Sequence, residues 1–264
     1  ISYGGANKDN VNIPSSVTTI GNSAFSNSQL TNIVIPDNVT SIGTDAFRNN
    51  QLQEVIIGSG ITALDKTVFQ NNPLKKVTLN ANIATTYSST TNPFYQLGLE
   101  ELIIGEKVTS IPSYMFYGQQ IKKLVIPDNV ISIGTYAFQN NQLSSLQLGV
   151  GLTAIENYTF RNNQLANVSI PDSVKTIGQY AFAGNQISSL DLGNGITTIS
   201  QYAFDDNQLT SVSIPNSVTS LSGFSNNQIS SISIPGSVTD IEGYAFRNNL
   251  ITTIEIPSTV TKIG

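Results

Sequence analysis

Residues 142–184 read Gln142-Leu-Ser-Ser-Leu-Gln-Leu-Gly-Val-Gly-Leu-Thr-Ala-Ile-Glu-Asn-Tyr-Thr-Phe160-Arg-Asn-Asn-Gln-Leu-Ala-Asn-Val-Ser-Ile-Pro-Asp-Ser-Val-Lys-Thr-Ile-Gly-Gln-Tyr-Ala-Phe182-Ala-Gly184, one complete unit of a repeat and the start of the next. The 11 Phe of the chain fall at Phe25, Phe47, Phe69, Phe94, Phe116, Phe138, Phe160, Phe182, Phe204, Phe224 and Phe246, a spacing of 22 with one interval of 25 and one of 20. A fixed period of this size is the signature of a solenoid, in which no unit buries its apolar face alone. The 264 residues are therefore read as one elongated repeat domain, residues 1–264, of about 11 full repeats after a degenerate first one that begins near Tyr3.

Five residues after each Phe stands Leu or Ile, as in Leu30, Leu52 and Leu165, and eight and ten after it come two more apolar residues, as in Val55 and Ile57. Apolar residues two apart share one face of a strand, so each repeat carries a short half-buried strand. Stacked in register, eleven such strands make a parallel sheet on the order of 50 Å long at roughly 4.8 Å per strand. Pro or Gly follows the strand in every repeat but one, where Asn80 stands, and ends it. Pairs such as Val39 and Ile42 or Val174 and Ile177, flanked by Thr and Ser, predict a second short strand on the opposite wall. Asn three residues after Phe, at Asn50, Asn72, Asn141, Asn163, Asn185, Asn207, Asn227 and Asn249, predicts a ladder of buried amides satisfying turn backbone.

Two units break the period. Three extra residues enter between Ile83 and Phe94, bringing Tyr87, and two are lost at Leu221-Ser-Gly-Phe224, where Gly223 is expected to let a tighter coil close.

The unit Ile126-Pro127-Asp-Asn-Val130-Ile-Ser-Ile133-Gly134-Thr-Tyr-Ala137-Phe138 resembles the BspA-like branch of the leucine-rich-repeat proteins, and the resemblance covers nearly the whole chain. It implies a mainly β repeat solenoid: a right-handed coil with a parallel β-sheet on one face and short strands and turns on the other. The two-sided strand pattern predicts weaker curvature than in repeats with a helical convex side. The resemblance also implies an extracellular or cell-surface location and binding to host proteins or other cells. Neither end looks like a polar cap, so the stretch is read as a fragment of a longer protein whose signal and anchor lie elsewhere.

Composition narrows the chemistry. With 0 Cys and 0 His, no disulfide, thiol or imidazole nucleophile, or His-rich metal site can be built. Net charge of -5 with 12 scattered Lys plus Arg leaves no footprint for nucleic acid. No apolar run suits a transmembrane helix, and neither the Walker nor the dinucleotide glycine pattern occurs. No cofactor is expected. Glu100-Glu101 and Asp205-Asp206 are the remaining catalytic raw material. The first pair points to opposite faces of a strand, and Asp205-Asp206-Asn207 is either a solvated turn or a site for a hard cation such as calcium.

Candidate partner-binding residues lie where repeats differ. Seven after Phe the column runs Glu54, Lys76, Glu101 and Lys123, an ion-pair ladder or the rim of a contact face. Nine after Phe, Val34, Ile56, Ile103 and Val125 form an outward apolar stripe that gives way to Gln147, Ser169 and Asp191, and exposed apolar patches of this kind mark contacts. Tyr87 and Tyr95 of the insertion are expected to cluster with Tyr114 and Tyr117. Tyr114, Tyr136, Tyr158, Tyr180, Tyr202 and Tyr244 form a column two residues before Phe, either a stabilising ladder or a surface for sugar or protein. The leading expectation is a non-catalytic, monomeric protein-binding or adhesion module with an extracellular macromolecular partner. The alternatives are a structural spacer, favoured by the near-identical Ser-rich later repeats, and, remotely, a carbohydrate-active parallel β-helix enzyme.

Overall fold

A computed structural model describes residues 11–264, so Tyr3 lies outside it. The chain winds as a parallel β-solenoid of about 11 coils, with no helix among the described residues. On the front wall Asn32–Ile35, Glu54–Ile57, Lys76–Leu79 and Glu101–Ile104 pair in register as a four-stranded sheet. Their inward residues are buried and their outward ones exposed or half-buried. Two further front pairs follow, Lys123–Val125 with Ser145–Gln147 and Asn167–Ser169 with Ser189–Asp191. Beyond Asp191 the front segments run without strand pairing among the described residues.

The back wall shows the reverse trend. Thr19–Ile20 pairs with Ser41–Ile42 and Ser110–Ile111 with Ser132–Ile133, and then a six-stranded sheet runs unbroken from Ala154–Ile155 to Lys262–Ile263. The front wall fades where its outward residues change from Val34, Ile56, Thr78, Ile103 and Val125 to Gln147, Ser169, Asp191 and Ser213. Branched aliphatics fit a pleated, half-buried surface better than Ser or Asp does. A cleft of about 680 Å³ opens between Ser231–Ile234 and Thr253–Pro257, where the front segments separate.

Between the walls runs one phenylalanine per coil. From Phe25 to Phe246 successive rings stack face to face with centroids 5.3 to 6.0 Å apart and planes within 19°. The spine passes unbroken through both irregular coils. From Phe47 to Phe224 each ring is fully buried and gains offset-stack contact with two neighbours.

The expected amide ladder forms beside it. Asn185 donates to Phe160 O at 3.0 Å and to Phe182 O at 2.9 Å, while its Oδ1 accepts from Leu165 N at 3.1 Å. A single side chain thus satisfies turn groups of two coils. In the coil of Phe116 the position is Gln119, which reproduces the bonds to Leu99 N, Phe94 O and Tyr117 O. Leu97 interrupts the ladder in the coil carrying the insertion. The Asn-Asn dipeptides divide their labour. The second Asn is buried in the ladder; the first, as at Asn49, Asn71, Asn140 and Asn162, sits at positive φ, where Asn is tolerated best after Gly. Its exposed amide bonds to the equivalent amide of a neighbouring coil, Asn71 to Asn49 at 2.8 Å and Asn162 to Asn140 at 2.9 Å.

The shortened coil closes at Gly223, which has φ +95° and whose hypothetical Cβ would lie 2.7 Å from Ser200 O. Glycine alone meets both demands.

Replacing Asn185 by Ala strips three buried backbone groups of their partner. The expected loss is roughly 3 kcal/mol, read as a lower urea midpoint, against a change within about 0.5 kcal/mol for Asn167→Ala on the exposed front wall.

Candidate functional site

The four aliphatic residues of the predicted stripe all stand on the front wall of the N-terminal half. Val34, Ile103 and Val125 are 52%, 43% and 54% exposed, and Ile56 is half-buried. Register places Val34 beside Ile56, then Thr78, then Ile103, and the strand of Val125 lies next to that of Ile103. Alternation turns these side chains outward because their neighbours Val55, Val77 and Leu102 fill the core.

The charged column forms only in part. Lys76 Nζ lies 3.3 Å from Glu54 Oε1 and 3.4 Å from Glu101 Oε1, a bridge across three strands. The hydrogen bond with Glu54, then attraction to Glu101, raises the Lys76 pKa. Lys123 makes no ion pair among the described residues. Beside this column Lys75 pairs with Glu100 at 2.8 Å, and its hydrogen bond and charge lower the Glu100 pKa. The two carboxylates thus each carry a lysine, as rim elements. At surface exposure such pairs contribute little stability; they order long side chains around the stripe.

Tyr87 is a correction. It is 6% exposed, and its hydroxyl donates to Leu64 O at 3.1 Å, so it plugs the core of the enlarged coil and presents nothing to a partner. Three extra residues widen the coil, and an aromatic side chain with a polar tip fills that space. The four-tyrosine cluster does not form. Tyr95 is exposed without a ring contact, and only Tyr114 and Tyr117 meet, at 5.7 Å and 56°. Tyr117 instead accepts a hydrogen bond from Asn140.

The tyrosine column is a stack. Tyr114, Tyr136, Tyr158, Tyr180 and Tyr202 follow one another at 4.5, 4.5, 5.1 and 4.8 Å with planes within 13°. Tyr244 meets Tyr202 at 5.9 Å, because the shortened coil between them withdraws from the column. All six have φ between 55° and 62°, a conformation that costs a bulky residue on the order of 1 kcal/mol. Stacking covers the ring faces, which leaves edges and hydroxyls rather than a flat platform for sugar. Sequence reading missed this backbone state, although Ser23 and Asp45 at the equivalent positions share it.

Asp205 belongs to the structure of its turn. Its Oδ1 accepts from Ser225 Oγ at 2.5 Å and Asn226 Nδ2 at 2.7 Å. No group of three or more acidic, His or Cys side chains able to hold a metal forms among the described residues. No described helix is long and apolar enough to cross a membrane.

The sequence profile for the BspA type Leucine rich repeat region (6 copies) matches residues 2–120, 88–176, 109–223 and 153–264. The chain belongs to the BspA-type leucine-rich repeat family. Among solved structures it is similar to a leucine-rich cell surface protein of Faecalibacterium prausnitzii, at 22% identity and a TM-score of 0.40 over 100% of this chain and 89% of that one. It is also similar to the pneumococcal vaccine antigen PcpA, at 19% and 0.44 over 93% and 79%. A leucine-rich repeat protein of Bacteroides ovatus gives 20% and 0.45 over 96% and 68%. No curated protein matches the chain.

Burial raises the Tyr87 pKa from its ordinary 10.0 to about 12. A folded-state pKa above the unfolded one gives stability that is full below pH 10 and lost as pH rises toward 12. The stability difference between the native chain and Tyr87→Phe should therefore fall by on the order of 2 kcal/mol across that window, measured by urea unfolding at stepped alkaline pH.

Proposed function

We propose that this chain is a non-catalytic protein-binding module of a bacterial cell-surface or secreted protein. The exposed aliphatic stripe of Val34, Ile56, Ile103 and Val125 carries this reading. Val34, Ile56 and Ile103 lie on the continuous four-stranded stretch of the front wall and Val125 on the strand beside it, so these residues are held at fixed spacing before any partner arrives. Preorganisation of this kind lowers the ordering cost of association. Charged rims flank the stripe through Lys75, Lys76, Glu54, Glu100 and Glu101, an apolar centre within a polar border as in protein interfaces. The extracellular location is supported by membership of the BspA-type family. The absence of His and Cys from the chain supports a recognition role over acid–base catalysis.

The C-terminal half favours a second role for itself. Its outward front residues Ser169, Ser213 and Ser233 offer a partner few anchors, while its back wall is the longest unbroken sheet, which suits a rigid spacer behind the contact face.

Immobilised native chain and a Val34→Ala, Ile56→Ala, Ile103→Ala, Val125→Ala variant are to be compared against purified extracellular-matrix and plasma proteins. Binding by the native chain that falls at least about tenfold in the folded variant is expected. Equal binding by both would remove the stripe as the site, and binding by neither would leave the spacer role for the whole chain.

A further inference from the structure

We infer that the column Tyr114, Tyr136, Tyr158, Tyr180 and Tyr202 is a site of oxidative dityrosine cross-linking between adjacent coils. The five phenols follow one another one coil apart at 4.5 to 5.1 Å, near-parallel, and are closest at 4.5 Å in the pairs Tyr114–Tyr136 and Tyr136–Tyr158. Rings at that separation are close to van der Waals contact. Their common backbone state, with φ from 55° to 62°, accompanies ring planes within 13° of one another along the column. All five tyrosines are half-buried, so part of each side chain stays open to an oxidant while its stacked neighbours hold it in the column.

The oxidant class is a haem peroxidase with hydrogen peroxide. One peroxide, reduced to two waters, takes one hydrogen atom from each of two neighbouring phenols. The two phenoxyl radicals join through their ortho carbons, and the ortho hydrogens move to oxygen to restore both phenols. Each link removes two hydrogens and closes a covalent ring between coils already held together by the Phe spine and the Asn ladder. Arg161 lies over Tyr158 and Tyr180 at 5.7 and 5.2 Å. Its positive charge opposes loss of an electron from those rings, so the first link belongs to the pair 114–136, neither ring of which lies under Arg161.

The native chain, dilute enough to suppress contact between molecules, is to be treated with a haem peroxidase and hydrogen peroxide, and its cross-linked peptides identified by mass spectrometry. Intramolecular links between successive members of the column are expected, with the 4.5 Å pair Tyr114–Tyr136 most abundant. Tyr136→Phe combined with Tyr180→Phe keeps every ring in the stack but places a Phe between Tyr114 and Tyr158 and between Tyr158 and Tyr202. It should abolish the column links while leaving oxidation of exposed Tyr95 unchanged. Denaturing the native chain before treatment should likewise abolish them. Links confined to Tyr95 or to pairs between molecules, or column links that persist in the double variant or the denatured chain, would overturn the assignment.

Discussion

Face-to-face contact between one phenylalanine per coil is the constraint to which the rest of the solenoid conforms. Rings that stack at 5.3 to 6.0 Å require each turn of chain to return to the same point above the last. The spine therefore sets the size of each turn alongside the pairing of the walls. The buried Asn converts that apolar register into a polar one, because its amide spans carbonyls of two successive coils. An amide placed wrongly there would leave backbone groups unsatisfied in the core, which penalises slippage more sharply than apolar contact alone.

With the register secured from inside, the two walls are free to differ along the axis. Front-wall pairing is continuous from Val34 to Ile103, breaks into separate pairs from Val125 to Asp191 and lapses beyond it among the described residues, while back-wall pairing grows in the opposite direction. The outward residues thus set both the strength of the local sheet and what it offers to solvent. The residues that make the N-terminal front wall a good sheet are the same ones that make it a contact face, so its rigidity and its stickiness arise together.

The period of the coil, its two walls, the core and the Asn ladder were legible in the sequence, because each rests on a residue type recurring at a fixed offset from Phe. Readings that depended on a position occurring once were less secure. Tyr87 looked like a surface aromatic in a polar insertion, but the wider coil needed filling, and tertiary packing drew the side chain inward. Gln119 was passed over because its role follows from reach rather than residue type. Lys123 continued the alternation of charge on paper, yet the structure leaves it outside the lysine bridge. The left-handed backbone at the tyrosine column had a faint signal in Asp45 and Ser23. Tyr itself hid it, since a bulky residue there runs against ordinary preference.

Because the Phe contact, the amide bridge and the wall pairing recur once per regular coil, the regular coils are interchangeable parts. A unit copied or deleted whole re-forms the Phe contact, the amide bridge and the wall pairing at its new boundary. The molecule would lengthen or shorten in steps of roughly 4.8 Å with its cross-section unchanged. The shortened coil at Gly223 already illustrates this tolerance, since its neighbours close over it and stay in line. Unequal crossing-over among near-identical later repeats can therefore adjust the length of such a protein without redesign of its core or of the face at its other end.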